Sequence, residues 1–445
     1  MSRVPHALIR LRVAACFLGG LGLFFLALAL IEAKPAQAEI FGAETFTLKN
    51  GMQVVVVPNH RAPVVVHMVW YRVGAADEPP SKSGVAHFLE HLMFKGTDEV
   101  PAGEFSKIVA RHGGVDNAFT SHDYTAYHQK VARDHLELVM KLEADRMTNL
   151  RINDAEVIPE RDVVLEERRS RTDNDPARQF SEQFNAAQYL SHPYGGPVIG
   201  WAHEIRALTT EAALDFYRAH YAPNNAILVV VGDVTVEELK PLAETHYGAL
   251  PARELEPRTR PQEPPQLAAR RVEFTHERVR QPELSRSYLA PSQSAGDTEH
   301  AYPLLVLADI LGGETGRIYH SLVVEQEIAA YADAYYDDFS LDLTKFMFYA
   351  SPLPGVEVAR LEAAVDAEIE KLLAEGVTAD EVKRAQDRMV AEAVYAADSL
   401  GGTARILGMA LTTGVSVEEV EAWPERIRVV TVDAVNAAAR AVLRP

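Results

Sequence analysis

Apolar and polar positions divide most of the chain into strand-like and helix-like segments. Phe46 to Pro58 reads as a strand pair, with Asn50-Gly51 at the turn and the β-rich run Val54–Val57 after it. Val64 to Val73 is a second β-rich run. Ser83 to Phe94 predicts a helix, with Gly84 near its start and Gly96 just past its end. Val131 to Asn149 predicts a long amphipathic helix. Pro159 is expected to open the next helix, because its fixed φ suits the first helical position. Ala226 to Gly232 is apolar without a break, which predicts a strand buried on a sheet.

Residues 251–268 interrupt this pattern. So many prolines in so short a span continue neither a helix nor a central strand, so the segment reads as a linker near the middle of the chain. The flanking halves look related. Ile205–Pro223 aligns without gaps to Ile427–Pro445, with seven of nineteen positions identical. A strand follows this segment in the first half but has no counterpart in the second.

The first stretch is of another kind. Arg3, Arg10 and Arg12 precede an apolar run from Val13 to Ile31, and Ala36-Gln37-Ala38 is an A-x-A cleavage signal. That is the pattern of a secretory signal peptide, although the run is long enough to serve as an uncleaved anchor. The expected organisation is a leader at 1–38, an N-terminal domain at 39–250, the linker at 251–268 and a C-terminal domain at 269–445. The expected location is periplasmic, with a tether to the inner membrane if the leader is retained.

Composition narrows the chemistry. The formal charge is −19, from 63 acidic and 44 basic side chains, which speaks against nucleic acid as a partner. It fits a solvated acidic surface and allows an acidic cavity that attracts basic peptides. The one cysteine, Cys16, lies in the leader. A mature chain without thiols has no disulfide, thiolate nucleophile or cysteine metal site, so a metal must take His, Asp or Glu.

Those ligand types occur together in His87-Phe88-Leu89-Glu90-His91. On a helix, His87 and His91 are four residues apart and share a face, so both imidazoles can reach one ion. Glu90 sits beside the same face, where a carboxylate can act as general base toward water. The order H-x-x-E-H is that of the inverzincins. Catalytic zinc wants a third protein ligand. Glu160, Glu166 and Glu167 are the candidates, and helical phase pairs Glu160 with Glu167, one as ligand and one hydrogen-bonded behind it, while Glu166 is turned away.

These residues resemble the pitrilysin/insulinase family, and within it the short chains similar to mitochondrial processing peptidase. The resemblance rests on Gly84–Thr97, Asn117–Tyr127, Glu160–Arg168 and Tyr221–Asp233. It implies an α+β fold of two homologous repeats, each a mixed or antiparallel sheet with packed helices, joined by the Pro-rich linker as half of a clamshell. It implies a zinc endopeptidase with one Zn2+ per chain, bound by His87, His91 and Glu167, with Glu90 as catalytic base. Glu160 matches a further family glutamate. Asn117 and Ala118 match the strand that pairs with an extended peptide substrate.

In the second half the family often carries an Arg and a Tyr seven apart that reach the substrate carbonyl. Here Tyr331 keeps the tyrosine, and Val324 takes the arginine position. Valine cannot stabilise an oxyanion. The expectation is therefore a homologous subunit that supplies the Arg/Tyr pair in a heterodimer. The alternative is a homodimer using another arginine, with Arg317 the first candidate. The competing function is a non-catalytic scaffold or recognition subunit of a larger complex.

Overall fold

Two sheets organise the chain in the computed structural model, which describes residues 39–444; the expected leader, residues 1–38, lies outside the described residues. The first sheet takes β1 (Glu44–Thr47), β2 (Gln53–Pro58), β3 (Val64–Tyr71), β4 (Val115–Thr120), β5 (Thr125–Ala132) and β6 (Ala226–Gly232) in the order β1-β2-β6-β3-β5-β4. β6 pairs parallel with β2 and antiparallel with β3, so the sheet is mixed. Every residue of β6 is buried, which is why its sequence shows no polar alternation. β4 is an edge strand, paired only to β5.

The helices used below are α1 (Val85–Leu92), α2 (Leu136–Asn149), α3 (Asp154–Arg168), α4 (Pro176–Gln188), α5 (Thr210–His220), α6 (Val236–His246), α7 (Ala301–Leu311), α8 (Val358–Glu375), α9 (Ala379–Ala396), α10 (Leu400–Thr412) and α11 (Val432–Val442). Val54, Val69, Tyr127 and Leu228 join one core with residues of α1, α2, α5 and α6. Val55, Met68, Trp70 and Val229, which alternate with them along the strands, join a second core with Ala404, Leu407 and Leu411 of α10. A helix from the second half thus covers the other face of the first sheet. Contact is closest at Gly408, where a Cβ would stand 1.9 Å from Trp70 Cε2.

The second sheet takes β7 (Leu284–Ala290), β8 (Ala329–Tyr336) and β9 (Thr344–Pro352) in the order β7-β9-β8, antiparallel throughout. That is the arrangement of β3-β5-β4. The repeat seen in the sequence is matched at its helices as well. Thr209 and Thr431 cap α5 and α11 alike, each side chain accepting from the amide three residues on, Ala212 and Ala434. Among the described residues no counterpart of β1, β2 or β6 occurs in the second sheet, which leaves α7, α8, α9 and α11 to complete its core.

Three local expectations need correction. Val131 belongs to β5, and the helix expected from there begins at Leu136 after a short 3-10 turn. Val131 alternates in and out as a strand residue while also fitting the apolar spacing of the helix behind it. Pro159 does not open its helix. α3 starts at Asp154, because Asn153 caps it by accepting from Ala155 N (2.9 Å) while Glu156 accepts from Asn153 N (2.9 Å). The helix at the His87 motif is shorter than Ser83–Phe94, since Gly84, at φ +87°, forms the turn before it.

No regular element occurs between residue 251 and β7. The segment is nevertheless tied down. Arg258 donates to Asp77 (2.9 and 2.7 Å), and Arg260 donates to Asp77 (3.1 Å), Asp123 (2.5 Å) and Asp342 (2.9 Å). Asp77 and Asp123 precede the segment in sequence and Asp342 follows it, so one guanidinium, 4% exposed, holds both halves. Among the described residues no helix is long and apolar enough to cross a membrane.

Candidate metal centre

α1 carries His87, Glu90 and His91, and its N-terminus is fixed by acids. Glu78 accepts from Gly84 N and Ala86 N, both at 2.9 Å, and Glu204 accepts from Ser83 N at 2.7 Å. Backbone amides at a helix start favour carboxylates, so the buried helix is anchored at the end nearest His87. α3 packs across α1 and carries Glu160 and Glu167.

Glu167 Oε2 lies 3.2 Å from His91 Nε2 and 3.7 Å from His87 Nε2. One ligand atom from each of these three residues falls within 4.8 Å of the others, and no second such group exists among the described residues. Glu160 stands behind: its Oε1 accepts from His91 Nδ1 at 2.9 Å, and its Oε2 pairs with Lys95. This bond fixes the ring so that Nε2 faces Glu167. Glu166 is 63% exposed and paired with Arg169, as the helical phase requires. His87 Nδ1 is buried and has no hydrogen-bond partner.

The four side chains act on one another's charge. Burial, and then the neighbouring His91, push His87 down to about 4. Burial also opposes charge on His91, but its bonds to Glu160 and Glu167 outweigh this and raise it to about 9. The bond to His91 holds Glu167 below the usual carboxylate range, against burial. Burial raises Glu160, yet His91 and Lys95 bring it below its ordinary value. Two imidazole nitrogens and one carboxylate oxygen, borderline and hard donors converging without a thiolate, are the donor set of a catalytic zinc site. The residues present fit that ion.

Glu90 is 8% exposed and points to β4, where Thr120 Oγ1 donates to its Oε2 at 2.5 Å. Burial raises the Glu90 carboxyl, and the Thr120 bond counteracts this. Thr120 received no role from sequence, although it lies inside the Asn117–Tyr127 stretch; the residue it serves is thirty positions away. Asn117 and Ala118 lie on β4 opposite His128 and Tyr127 of β5, with the outer edge of the strand unpaired among the described residues. Tyr331 lies on the edge strand β8, 49% exposed, its hydroxyl donating to Asp333 (2.6 Å). Val324 is 53% exposed. Arg317 is held by Glu381 (2.5 and 2.6 Å) and the Gly376 carbonyl (3.0 Å), which leaves little of its fork for a substrate.

Residues 53–201 match the family profile described as Insulinase (Peptidase family M16), and residues 207–389 match one described as Peptidase M16 inactive domain. The chain is 36% identical over 355 residues to the zinc protease PqqE of Helicobacter pylori, covering 78% of this chain and 79% of that protein. A protease crystal structure from Helicobacter pylori superposes with a TM-score of 0.83 at 31% identity, over 90% of this chain and 96% of that one. The first half of the periplasmic protease PqqL from Escherichia coli shares the fold, with a TM-score of 0.73 at 21% identity over 90% and 89% of the two chains.

Proposed function

Because the chain belongs to the pitrilysin/insulinase peptidase family, M16, we propose that it is an exported zinc endopeptidase cleaving peptides or unfolded polypeptide segments. The observation that carries this reading is the convergence of His87, His91 and Glu167 with Glu90 beside them. In it, His87, His91 and Glu167 hold one zinc ion per chain. A bound zinc supplies Lewis-acid polarisation of water and of the scissile carbonyl. Glu90 accepts the proton of the attacking water and returns it to the leaving amine, and its burial, which raises the carboxyl, makes it a stronger base for that exchange. Thr120 fixes the Glu90 rotamer, and Glu160 orients His91. Asn117 and Ala118 hold the substrate backbone along the unpaired edge of β4. Residues 39–250 form the metal-binding domain, 251–268 the linker and 269–445 the second domain. The leader pattern at residues 1–38 supports export.

The substrate carbonyl is completed from outside this chain. Val324 offers no donor and Arg317 is engaged by Glu381, so a homologous subunit bearing an Arg/Tyr pair faces the site, with Tyr331 a weaker contributor. A non-catalytic scaffold is the second reading, favoured by Val324 alone.

The test is Glu90→Gln in the protein 39–445, with zinc content and peptide cleavage measured beside the parent. Zinc should stay at one per chain while cleavage falls by about 100- to 10,000-fold. Zinc-loaded Glu90→Gln that cleaves at the parent rate sinks the mechanism. A zinc-loaded parent that cleaves nothing, with its partner present, establishes the scaffold.

A further inference from the structure

We propose that Arg171 is a receptor for a substrate carboxylate beside the metal ligands, selecting peptides with an acidic residue or a free C-terminus near the site. The inference rests on the peptidase reading above. Arg171 stands on a π-helical turn, Arg169–Asp173, that continues α3 directly after Arg168. Its Nη1 lies 2.5 Å from Glu167 Oε1, while the other Glu167 oxygen faces His87 and His91. Glu167 therefore joins the imidazole pair to this guanidinium through one carboxylate.

The backbone under Arg171 is fixed from both sides. Arg168 is buried and donates to Glu182 (2.7 and 2.8 Å) and to the Gly200 carbonyl (2.8 Å). Thr172 is buried, and Asn174 N donates to Arg169 O at 2.9 Å to close the turn. Wide helical turns of this kind are frequent at functional sites. The side chain itself is 74% exposed. A guanidinium carries five N–H donors in a planar fork that matches a carboxylate. Glu167 uses one edge, so the remaining donors face solvent beside the ligands.

The other cations nearby are occupied. Lys95 pairs with Glu160, Arg168 with Glu182, and Arg169 with Glu166. In a chain of net charge −19, an exposed guanidinium at the histidine pair is a cationic contact that a carboxylate can use. One residue of extended peptide spans about 3.5 Å. A side chain one or two residues from a bond held at the ligands therefore comes within reach of Arg171. Side-chain and terminal carboxylates present the same chemistry to the fork.

The experiment uses a neutral peptide with one Glu walked along it, the matching Gln peptides, and each with a free or amidated C-terminus. Binding is read by fluorescence anisotropy on zinc-loaded Glu90→Gln protein and on the same protein carrying Arg171→Gln or Arg171→Glu. Cleavage of the same peptides by the parent is read separately, so an inactive parent counts against the peptidase reading while binding still decides this one. The expected result is about tenfold or more tighter binding of one Glu position over Gln, or of the free over the amidated terminus. Which of the two comparisons shows the difference identifies the source of the carboxylate. Arg171→Gln should bring that ratio to about one and Arg171→Glu should invert it, with zinc content measured in each. Equal binding of all peptides, or a preference that Arg171→Gln leaves intact, overturns the proposal.

Discussion

Replacing Arg260 by methionine tests whether the segment between the halves is a clamp or only a connection. The substitution removes a nearly buried cation from Asp77, Asp123 and Asp342 and keeps much of the apolar volume. Removing one partner of a buried ion pair typically costs about 3–5 kcal/mol. Here the three acids retain other partners: Arg258 for Asp77, the Tyr194 hydroxyl (2.7 Å) for Asp123 and His192 (3.1 Å) for Asp342. The lower end, about 3 kcal/mol, is therefore expected. The loss should also depend on pH. Burial pushes Asp77 and Asp342 up, but Arg258 and Arg260 for the first, and His192 and Arg260 for the second, hold both below the usual aspartate value. Depressed carboxyls contribute stability that is fully present above their unfolded value, about 4, and lost as pH falls through the folded one. The gap between parent and Arg260→Met should therefore be widest near pH 7 and narrow below about pH 4. Urea unfolding of residues 39–445, followed by tryptophan fluorescence and far-UV circular dichroism, gives both numbers. A loss under about 1 kcal/mol at pH 7, or one that grows on acidification, would refute the reasoning.

Thr120→Val should lower kcat by about 10- to 100-fold with KM and zinc content little changed, and Thr120→Ser should recover most of it, because a hydrogen bond to a charged group is at stake; steady-state kinetics decide. Glu167→Gln and His91→Ala should weaken zinc binding while Glu166→Gln does not, as measured by competition with a chromophoric chelator. Gly408→Ala should cost at least about 1–3 kcal/mol in the same urea assay, since its methyl would overlap Trp70. Peptide cleavage by the chain alone should run about 100- to 1,000-fold below that of the chain with a homologue carrying the Arg/Tyr pair; full activity alone, unaffected by Arg317→Ala, speaks against a facing partner.

Local signals in the sequence were the readable ones. His87, Glu90 and His91 share one helical face by spacing, and the phase of α3 separates Glu167 from Glu166 before any coordinates are needed. The unbroken apolar run 226–232 reads directly as a strand buried on both faces. Local signals mislead where two of them overlap: Val131 fits both a strand end and a helix face, and Pro159 is a weaker start signal than the Asn153–Glu156 capping box. What remained hidden depends on contacts between distant positions. The Thr120–Glu90 bond spans 30 residues, and the Arg260–Asp77 pair spans 183. A proline-rich stretch advertises what it cannot form, and gives no sign of which acids its arginines will meet.

The packing of α10 on the first sheet bears on how such a protein can be dissected. A fragment ending at residue 250 would contain every proposed zinc ligand. It would also leave Val55, Met68, Trp70 and Val229 bare, a face that residues 404–411 normally cover. Such a fragment is a candidate for aggregation rather than a minimal enzyme, and supplying residues 251–445 as a separate chain should rescue its solubility. The second half, which brings none of the proposed metal ligands, is thus a subunit in all but its covalent bond.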